Sequence, residues 1–436
     1  MRTVQNAEDA GKAGVLAPDA RPRWWLLRKA GWIAVLALGV TLLTWQVATV
    51  SQSPNDFCQD YIAAQRLIHG EMPYLPLQSW AGYAACPVAL PYDAHPPFSV
   101  LLFVPFALLP KTPAALIWGL CSLAAYLTSG VLLLKELKWR LLPGMALLAL
   151  GSCFWTPLAL AQQTQNLEQV LLLLLVVAWL LERRGHDRWA GALLGLAALL
   201  KLWPLGLLLG ALIWRKWRLA LTGGLVALLA LAVTLIVPGP AAYAAYLGPV
   251  RVSELNSVPT RASISLVGAI TRVFTGYPAQ PSIPPLVTGL SLPSAVLVGE
   301  LIAALFFLLV LAMLWWKRKR EPGSPAELLG QGMLITALLL TFPLIWYQSL
   351  ILLLLPLATL ALALRQLPKP PRWWKIVLWM CLVVLAIPGW MLLDLPGTLI
   401  TYDAQRLSGI AAVLASVPTV VVVLLAAEYC ILLREG

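Results

Sequence analysis

The sequence predicts an all-α polytopic membrane protein, on three observations. Of the 436 residues, 60% are hydrophobic and only 11% are charged, whereas soluble domains carry about 25% charged residues. Apolar runs such as Trp32–Val50 and Ile410–Leu433 recur along the chain, and a crossing helix needs roughly 20 such residues. The runs are rich in leucine and alanine and lack the period-2 alternation of barrel strands, so we expect a helical bundle.

The basic residues indicate which side of the membrane each connection occupies. Lysine and arginine form short clusters between apolar runs, whereas the segments at about 51–97, 238–293 and 395–405 contain no lysine. Cytoplasmic loops carry the excess of basic residues. These three segments are therefore predicted to be external loops, and both termini are predicted to be cytoplasmic. The net charge of +12 follows from this topology, and we expect no nucleic-acid partner.

The simplest path through the bilayer has about 12 transmembrane helices. Residues 1–29 form a polar cytoplasmic tail, and residues 30–436 form a single transmembrane domain. Phe98–Leu109 is short for a crossing at about 1.5 Å per residue, and it would break the even parity if it spanned. The predicted crossings, in chain order, are Trp32–Val50, Ala114–Leu134, Leu141–Leu160, Leu167–Leu181, the hairpin arms Trp189–Leu200 and Leu202–Trp214, Leu219–Val237, Ala295–Trp316, Leu328–Phe342, Leu350–Leu364, Ile376–Leu393 and Ser408–Leu433.

Lys201 lies at the tip of the predicted hairpin, between two short apolar arms. Pro204 explains the break between the arms, because proline cannot continue a helix. A lysine within the membrane is costly unless it faces a cavity or an opposite charge. We expect Lys201 to meet an anionic lipid headgroup; the alternative is that its side chain extends to the interface.

The first external loop carries two acids, Asp56 and Asp60, directly after the first predicted helix. Residues four apart share one face if the stretch is helical. Two like charges that close together raise the pKa of one of them, which suits a general base. The alternative is a solvated helix start with Asp56 as its cap.

The same loop contains His95 and two cysteines, Cys58 and Cys86. His95 could serve as a proton shuttle or a phosphate donor, or equally be a surface histidine before Pro96-Pro97. A Cys58–Cys86 disulfide is one of two open outcomes, because an external compartment is oxidising. The three histidines are scattered and no Cys/His cluster occurs, so we expect no zinc site.

The second external loop and the end of a late helix offer further candidates. Arg251, Arg261 and Arg272 suit phosphate recognition, since the guanidinium fork matches phosphate oxygens; the alternative is that they anchor the loop to lipid headgroups. Trp346, Tyr347 and Gln348 could stack on a sugar or belong to an interfacial aromatic belt.

Six short motifs occur in order along residues 30–365. The first is Asp56-Phe57-x-x-x-Tyr61-x-Ala63-Ala64, followed by Gly70-x-x-Pro73-Tyr74. The others are Pro96-Pro97 with Pro105 and Leu109-Pro110, Gln163…Asn166, Ala190-Gly191…Gly195…Lys201-x-x-Pro204, Ser265-Leu266-x-Gly268…Arg272 and Pro343-x-x-Trp346. Together they resemble glycosyltransferase family 87, membrane enzymes of the GT-C fold that use polyprenyl-phosphate sugars, typically mannose.

The resemblance implies an inverting transfer of mannose from polyprenyl phosphate to an external hydroxyl of a glycolipid or glycan, in a bacterial cell membrane and among its lipids. Asp56 would be the general base, and cationic residues would stabilise the leaving phosphate. The donor has no pyrophosphate for a metal to clamp, so we expect no metal and no cofactor. The substrate-binding residues would be Asp60, Tyr61, His95, Lys201, Arg251, Arg261, Arg272, Trp346, Tyr347 and Gln348.

The chain departs from the family pattern at four positions. Asp60 stands where a tyrosine-like residue is expected, and His95 replaces the tyrosine before Pro-Pro. Gln348 replaces a histidine and Ser263 an asparagine. If the missing histidine assists catalysis in relatives, His95 or Asp60 would compensate for it, or the acceptor would differ.

Two other classes of function remain open at this point. A transporter or lipid flippase would place charges at mid-membrane and often show inverted repeats. The sequence contains no clear internal repeat, and its chemistry-bearing residues gather in two external loops, which favours a transferase. A structural membrane protein without activity is opposed only by the family resemblance.

Overall fold

The protein is described by a computed structural model covering residues 23–51, 55–86, 91–260, 263–276, 285–287, 289–318 and 323–367, with short stretches between 419 and 432. The predicted crossing Ile376–Leu393, the predicted loop at 395–405, most of the tail 1–29 and Arg261 lie outside the described residues. Within these ranges the chain is helical, and its one pairing of extended backbone is an isolated bridge between Ser263 and Trp346.

Sixteen α-helices follow one another through the described part of the chain. They are α1 Arg23–Val50, α2 Asn55–Ile68, α3 Pro97–Ala107, α4 Lys111–Glu136, α5 Leu141–Ser152, α6 Thr156–Thr164, α7 Glu168–Arg183, α8 Asp187–Leu200, α9 Leu205–Ile213, α10 Trp217–Ile236, α11 Pro240–Ala245, α12 Arg251–Ser257, α13 Leu266–Thr275, α14 Leu292–Trp316, α15 Pro325–Thr341 and α16 Leu354–Gln366. A 3₁₀ segment, Tyr347–Leu353, leads into α16.

Several of these helices are long and apolar enough to cross a membrane. Five meet that description in the described residues, namely Trp25–Val50, Lys111–Glu136, Trp217–Ile236, Leu292–Trp316 and Tyr347–Gln366. In α1, α10 and α14 no more than 22% of the apolar window is buried inside the protein. Apolar surface of that extent is stable only in lipid. The chain is therefore an all-α integral membrane protein, while the total of 12 helices stays a prediction.

The predicted crossing Leu141–Leu160 is wrong as a single helix. It is divided into α5 and α6, whose axes meet at 69°. Pro157 lies in the first turn of α6, where it can start a helix but cannot continue one from α5, because it has no N–H to donate and its ring displaces the preceding turn. By contrast, α3 has 11 residues and extends only about 16 Å, as expected for a segment too short to span.

The hairpin that carries Lys201 is held by close helix packing. A Cβ on Gly191 would lie 2.2 Å from Leu219 O, and one on Gly195 would lie 2.5 Å from Gly223 O. Only glycine lets the two backbones approach this closely, as in small-residue packing of membrane helices. The glycines of the Ala190-Gly191…Gly195 motif thus press α8 against α10 and fix the end of α8, where Lys201 follows.

Candidate active site

Helix α2 places the two candidate acids on one face, as their spacing predicted. Asp56 lies in its first turn, where its Oδ1 accepts hydrogen bonds from Asn55 Nδ2 at 3.2 Å and Gln59 Nε2 at 3.5 Å. Asp60 follows one turn later with a side chain only 1% exposed. The buried face of α2 packs on α3, with Phe57 against Phe103 at a centroid distance of 5.7 Å. The loop therefore begins as an anchored helix.

The rest of the first loop is folded against α2. A disulfide joins Cys58 to Cys86, with their Cα atoms 5.5 Å apart. The buried guanidinium of Arg66 donates from Nη2 to Pro76 O and to Ser79 Oγ, both at 2.9 Å. These ties order the segment that returns toward the membrane.

The returning segment brings His95 to α2. Ala94 N donates to Gln59 Oε1 at 3.3 Å, and Tyr74 Oη donates to His95 O at 2.7 Å. His95 Nδ1 then lies 2.9 Å from Asp60 Oδ2 and 3.7 Å from Asp93 Oδ1. Burial disfavours the charged imidazole, but the negative charges of Asp60 and Asp93 outweigh it and raise the pKa of His95 to about 9.

Lys201 reaches the same region from the end of α8 but is not alone there. Its Nζ lies 2.6 Å from Glu168 Oε1, at the first residue of α7. Glu168 is fully buried, and it also accepts a hydrogen bond from Ser349 Oγ in the 3₁₀ segment. Lys201 thus faces an opposite charge inside the protein, and the interfacial alternative is not what the structure adopts.

Asp56 is the point on which these charges converge. Burial raises the pKa of Asp56, and the positive charges of His95 and Lys201 oppose that rise, while Asp60 and Glu168 add to it. Asp56 is partly exposed as a residue. A carboxyl with a raised pKa is suited to accept a proton.

Among the residues that the structure describes, three polar groups without a hydrogen-bond partner lie next to Glu168 in the sequence and in the 3₁₀ segment that contacts it. They are Asn166 Nδ2, Gln169 Nε2 and Tyr347 Oη, all buried. Buried donors are nearly always satisfied by protein, water or a ligand. These three donors therefore suit the oxygens of a sugar or a phosphate. Trp346 and Gln348, which flank Tyr347, are partly buried.

Other predicted substrate ligands have their polar groups engaged in the fold. Arg272 Nη1 donates to Thr260 O at 2.9 Å and Ser263 O at 3.0 Å, which fixes the second loop beside α13. Arg251 pairs with Glu300 at 2.9 Å on a partly exposed surface. Tyr61 Oη donates to Leu109 O at 2.7 Å. These contacts favour a structural role for Arg272 and Tyr61.

Glu168 is the central residue that sequence reasoning missed. It lies inside the predicted crossing Leu167–Leu181. An acid inside an apolar run is by default a functional residue. The position of Glu168 at the start of the run that follows Asn166 was therefore a sequence signal for a functional residue. Its pairing with Lys201 joins residues 33 positions apart, which no local pattern predicts.

Comparisons with known proteins show the family of the chain. Residues 94–343, more than half of the chain, match the model of glycosyltransferase family 87. The chain belongs to glycosyltransferase family 87. It is therefore a membrane glycosyltransferase. The match covers His95, Glu168 and Lys201, whereas α2 precedes it.

Individual proteins match only a part of the chain or match it at low sequence identity. The chain is 33% identical over 132 residues to an alpha-(1->3)-arabinofuranosyltransferase of Mycobacterium tuberculosis, found in two strains. That match spans 29% of this chain and 30% of the relative. Crystal structures of ArnT from Cupriavidus metallidurans, apo and bound to undecaprenyl phosphate, align with TM-scores of 0.37 at 18% and 16% identity, covering 92% of this chain and 77% of theirs.

Proposed function

We propose that this family 87 enzyme moves a sugar from a polyprenyl-phosphate donor to a hydroxyl of a glycolipid or glycan on the external side of the membrane. The observation that carries the proposal is the convergence of His95 and Lys201, whose positive charges both act on the carboxyl of Asp56. A base beside cationic groups is what transfer from an anionic leaving group needs.

In the proposed reaction Asp56 takes the proton of the acceptor hydroxyl. The acceptor oxygen forms a bond to the anomeric carbon while the bond from that carbon to the phosphate oxygen breaks. The polyprenyl phosphate leaves as an anion, and attack from the opposite face inverts the anomeric centre. Lys201 stabilises the departing phosphate, and the donors Asn166 Nδ2, Gln169 Nε2 and Tyr347 Oη hold the sugar or phosphate oxygens. In this reaction no metal is placed on the phosphate.

Mannose is the first candidate for the transferred sugar, because the motif resemblance favours it. Arabinofuranose is the second candidate, because the curated relative acts as an arabinofuranosyltransferase. A pentofuranose and a hexopyranose place their hydroxyls differently. A site that pairs its polar groups with the hydroxyls of one sugar leaves some of those groups unpaired when the other sugar binds, and it therefore discriminates between the two.

The test is sugar transfer by the purified chain in detergent. Polyprenyl-phosphate-mannose and polyprenyl-phosphate-arabinofuranose, each radiolabelled, are supplied in turn with a membrane lipid extract as acceptor. We expect one donor to give a labelled product, and Asp56→Asn to lower the rate at least about a hundredfold. Asp187→Asn, which changes an acid at the start of α8, is the matched control.

Two results would contradict the proposal. Near-normal turnover by folded Asp56→Asn would exclude this residue as the base. Failure of both labelled donors and of other polyprenyl-phosphate sugars, with the fold intact, would exclude the donor class and favour a transporter or flippase.

A further inference from the structure

We propose that Asp60, Asp93 and His95 bind one divalent transition-metal cation of the zinc or manganese kind. One ligand atom from each of the three side chains lies within 4.8 Å of the other two, and all three residues are buried.

The spacing of the atoms suits a shared cation. Zinc binds imidazole nitrogen and carboxylate oxygen at about 2.1 Å, which puts two ligands on one tetrahedral ion about 3.4 Å apart. His95 Nδ1 lies 2.9 Å from Asp60 Oδ2 and 3.7 Å from Asp93 Oδ1. The two distances bracket that value, so a cation between them needs only small side-chain rotations.

One carboxylate oxygen in this cluster, the buried Asp60 Oδ1, has no hydrogen-bond partner among the described residues. The other oxygen of the same carboxylate, Oδ2, lies 2.9 Å from His95 Nδ1. Buried acceptors are nearly always satisfied by protein, water or a ligand, and a cation would satisfy this one.

The charge of the cluster points the same way. Two buried carboxylates, those of Asp60 and Asp93, lie beside one imidazole. A cation of charge +2 would interact favourably with both acids, as buried charges require. Imidazole together with carboxylates favours zinc, manganese or iron over calcium and magnesium, which prefer oxygen alone.

Hydrogen bonds already hold the backbone around His95 and the Asp93 side chain in place. His95 N donates to Asp93 Oδ1 at 3.0 Å, and Tyr74 Oη holds His95 O at 2.7 Å. Partners of this type orient ligands and raise metal affinity. A bound cation would link the segment 91–96 to α2, close to Asp56. The proposed binding of the donor phosphate would remain with Lys201. The role is to position the first loop, and it does not depend on the proposed reaction.

The experiment measures metal directly, without any donor substrate. The purified full-length chain in detergent is stripped with a chelator, incubated with Zn²⁺ or Mn²⁺, desalted and analysed for metal by mass spectrometry. The variants are His95→Gln and Asp60→Asn, and the matched control is His69→Gln, which changes an exposed histidine of the same loop. Gel filtration selects the variants that remain folded.

We expect about one cation per chain in the wild type and in His69→Gln. Removal of a ligand should weaken binding at least about tenfold, and the cation should raise the unfolding temperature of the wild type but not of the variants. Loss of the metal from either folded variant supports the site. The proposal is overturned if the wild type takes up no metal, or if both variants bind as much as His69→Gln; an imidazolium held between two carboxylates would then account for the cluster.

Discussion

Lys201 Nζ lies 2.6 Å from Glu168 Oε1, and this pair joins the end of α8 to the start of α7. Glu168 is fully buried, and 13% of the Lys201 side chain is exposed. An anionic donor that binds Lys201 must therefore compete with Glu168 or share the ammonium group with it. The pair makes Glu168 a positioning residue for the proposed phosphate site.

Replacement of Glu168 should separate two roles of Lys201, its pairing with Glu168 and its binding of the donor phosphate. Glu168→Gln leaves Lys201 without its counter-charge, and breaking a buried pair costs about 3–5 kcal/mol, so we expect a lower unfolding temperature. Polyprenyl phosphate should then raise that temperature by more than it does in the wild type, because it restores the missing charge. Thermal unfolding with and without the lipid measures both effects.

Glu136→Gln is the control for that comparison, since it breaks the Arg183–Glu136 pair of 3.0 Å at the far end of α7. It should not change the response to the lipid. An equal lipid-induced shift in Glu168→Gln and in the wild type would show that Lys201 does not hold the phosphate.

Asp56 is predicted to act against the stability of the fold. Burial raises the pKa of Asp56 in the folded protein above its value in the unfolded chain. At a pH below the unfolded-state pKa, Asp56 is neutral in both states and its burial costs no charge. As the pH rises through the folded-state pKa, Asp56 becomes charged in the folded protein, and the fold loses that stability. Asp56→Asn should therefore unfold at a higher temperature than the wild type at neutral pH, while losing transferase activity.

The advantage of Asp56→Asn should shrink as the pH falls through the folded-state pKa, because Asp56 then becomes neutral as well. Unfolding temperatures of both proteins between about pH 4 and 8 test this window around the ordinary Asp range. Activity should decline on the acid side at a higher pH than an exposed aspartate would give. An advantage that is constant with pH would mean that ionisation of Asp56 is not its cause.

The Cys58–Cys86 bond should stabilise the first loop. The bond closes a loop with a sequence separation of 28, which corresponds to about 3–4 kcal/mol in the chain-entropy model. We expect Cys58→Ser to lower the unfolding temperature and a reductant to lower that of the wild type by a similar amount. The reductant should have little effect on Cys58→Ser; a large additional effect would place the sensitive bond elsewhere.

Gly195 should be intolerant of even one methyl group. A Cβ there would lie 2.5 Å from Gly223 O, so Gly195→Ala must push α8 away from α10, at a cost of about 1–3 kcal/mol. Lys201 follows at the end of α8 and would move with it. Gly224→Ala is the matched control, because no heavy atom lies within 4 Å of its added Cβ. Equal unfolding temperatures for the two variants would contradict the close-packing account.

The sequence by itself determined the class of the protein and the principal acids. The hydrophobic runs made the chain a helical membrane protein, because apolar side chains in that number are stable only in lipid. The spacing of Asp56 and Asp60 determined that they share a face of α2, and Pro204 determined the break beside Lys201, because both depend on local geometry. The motifs identified the family that the match over residues 94–343 then showed.

Only the tertiary structure decided which charges meet. The Lys201–Glu168 pair, the approach of His95 to Asp60 and Asp93, and the engagement of Arg272 by backbone carbonyls all join residues from separate segments. The bend between α5 and α6 was likewise visible only in the structure, because hydropathy predicted one continuous helix there. Hydrophobic and helical signals are local and periodic, so a sequence displays them, whereas the partner of a buried charge depends on which helices pack together and at what distance.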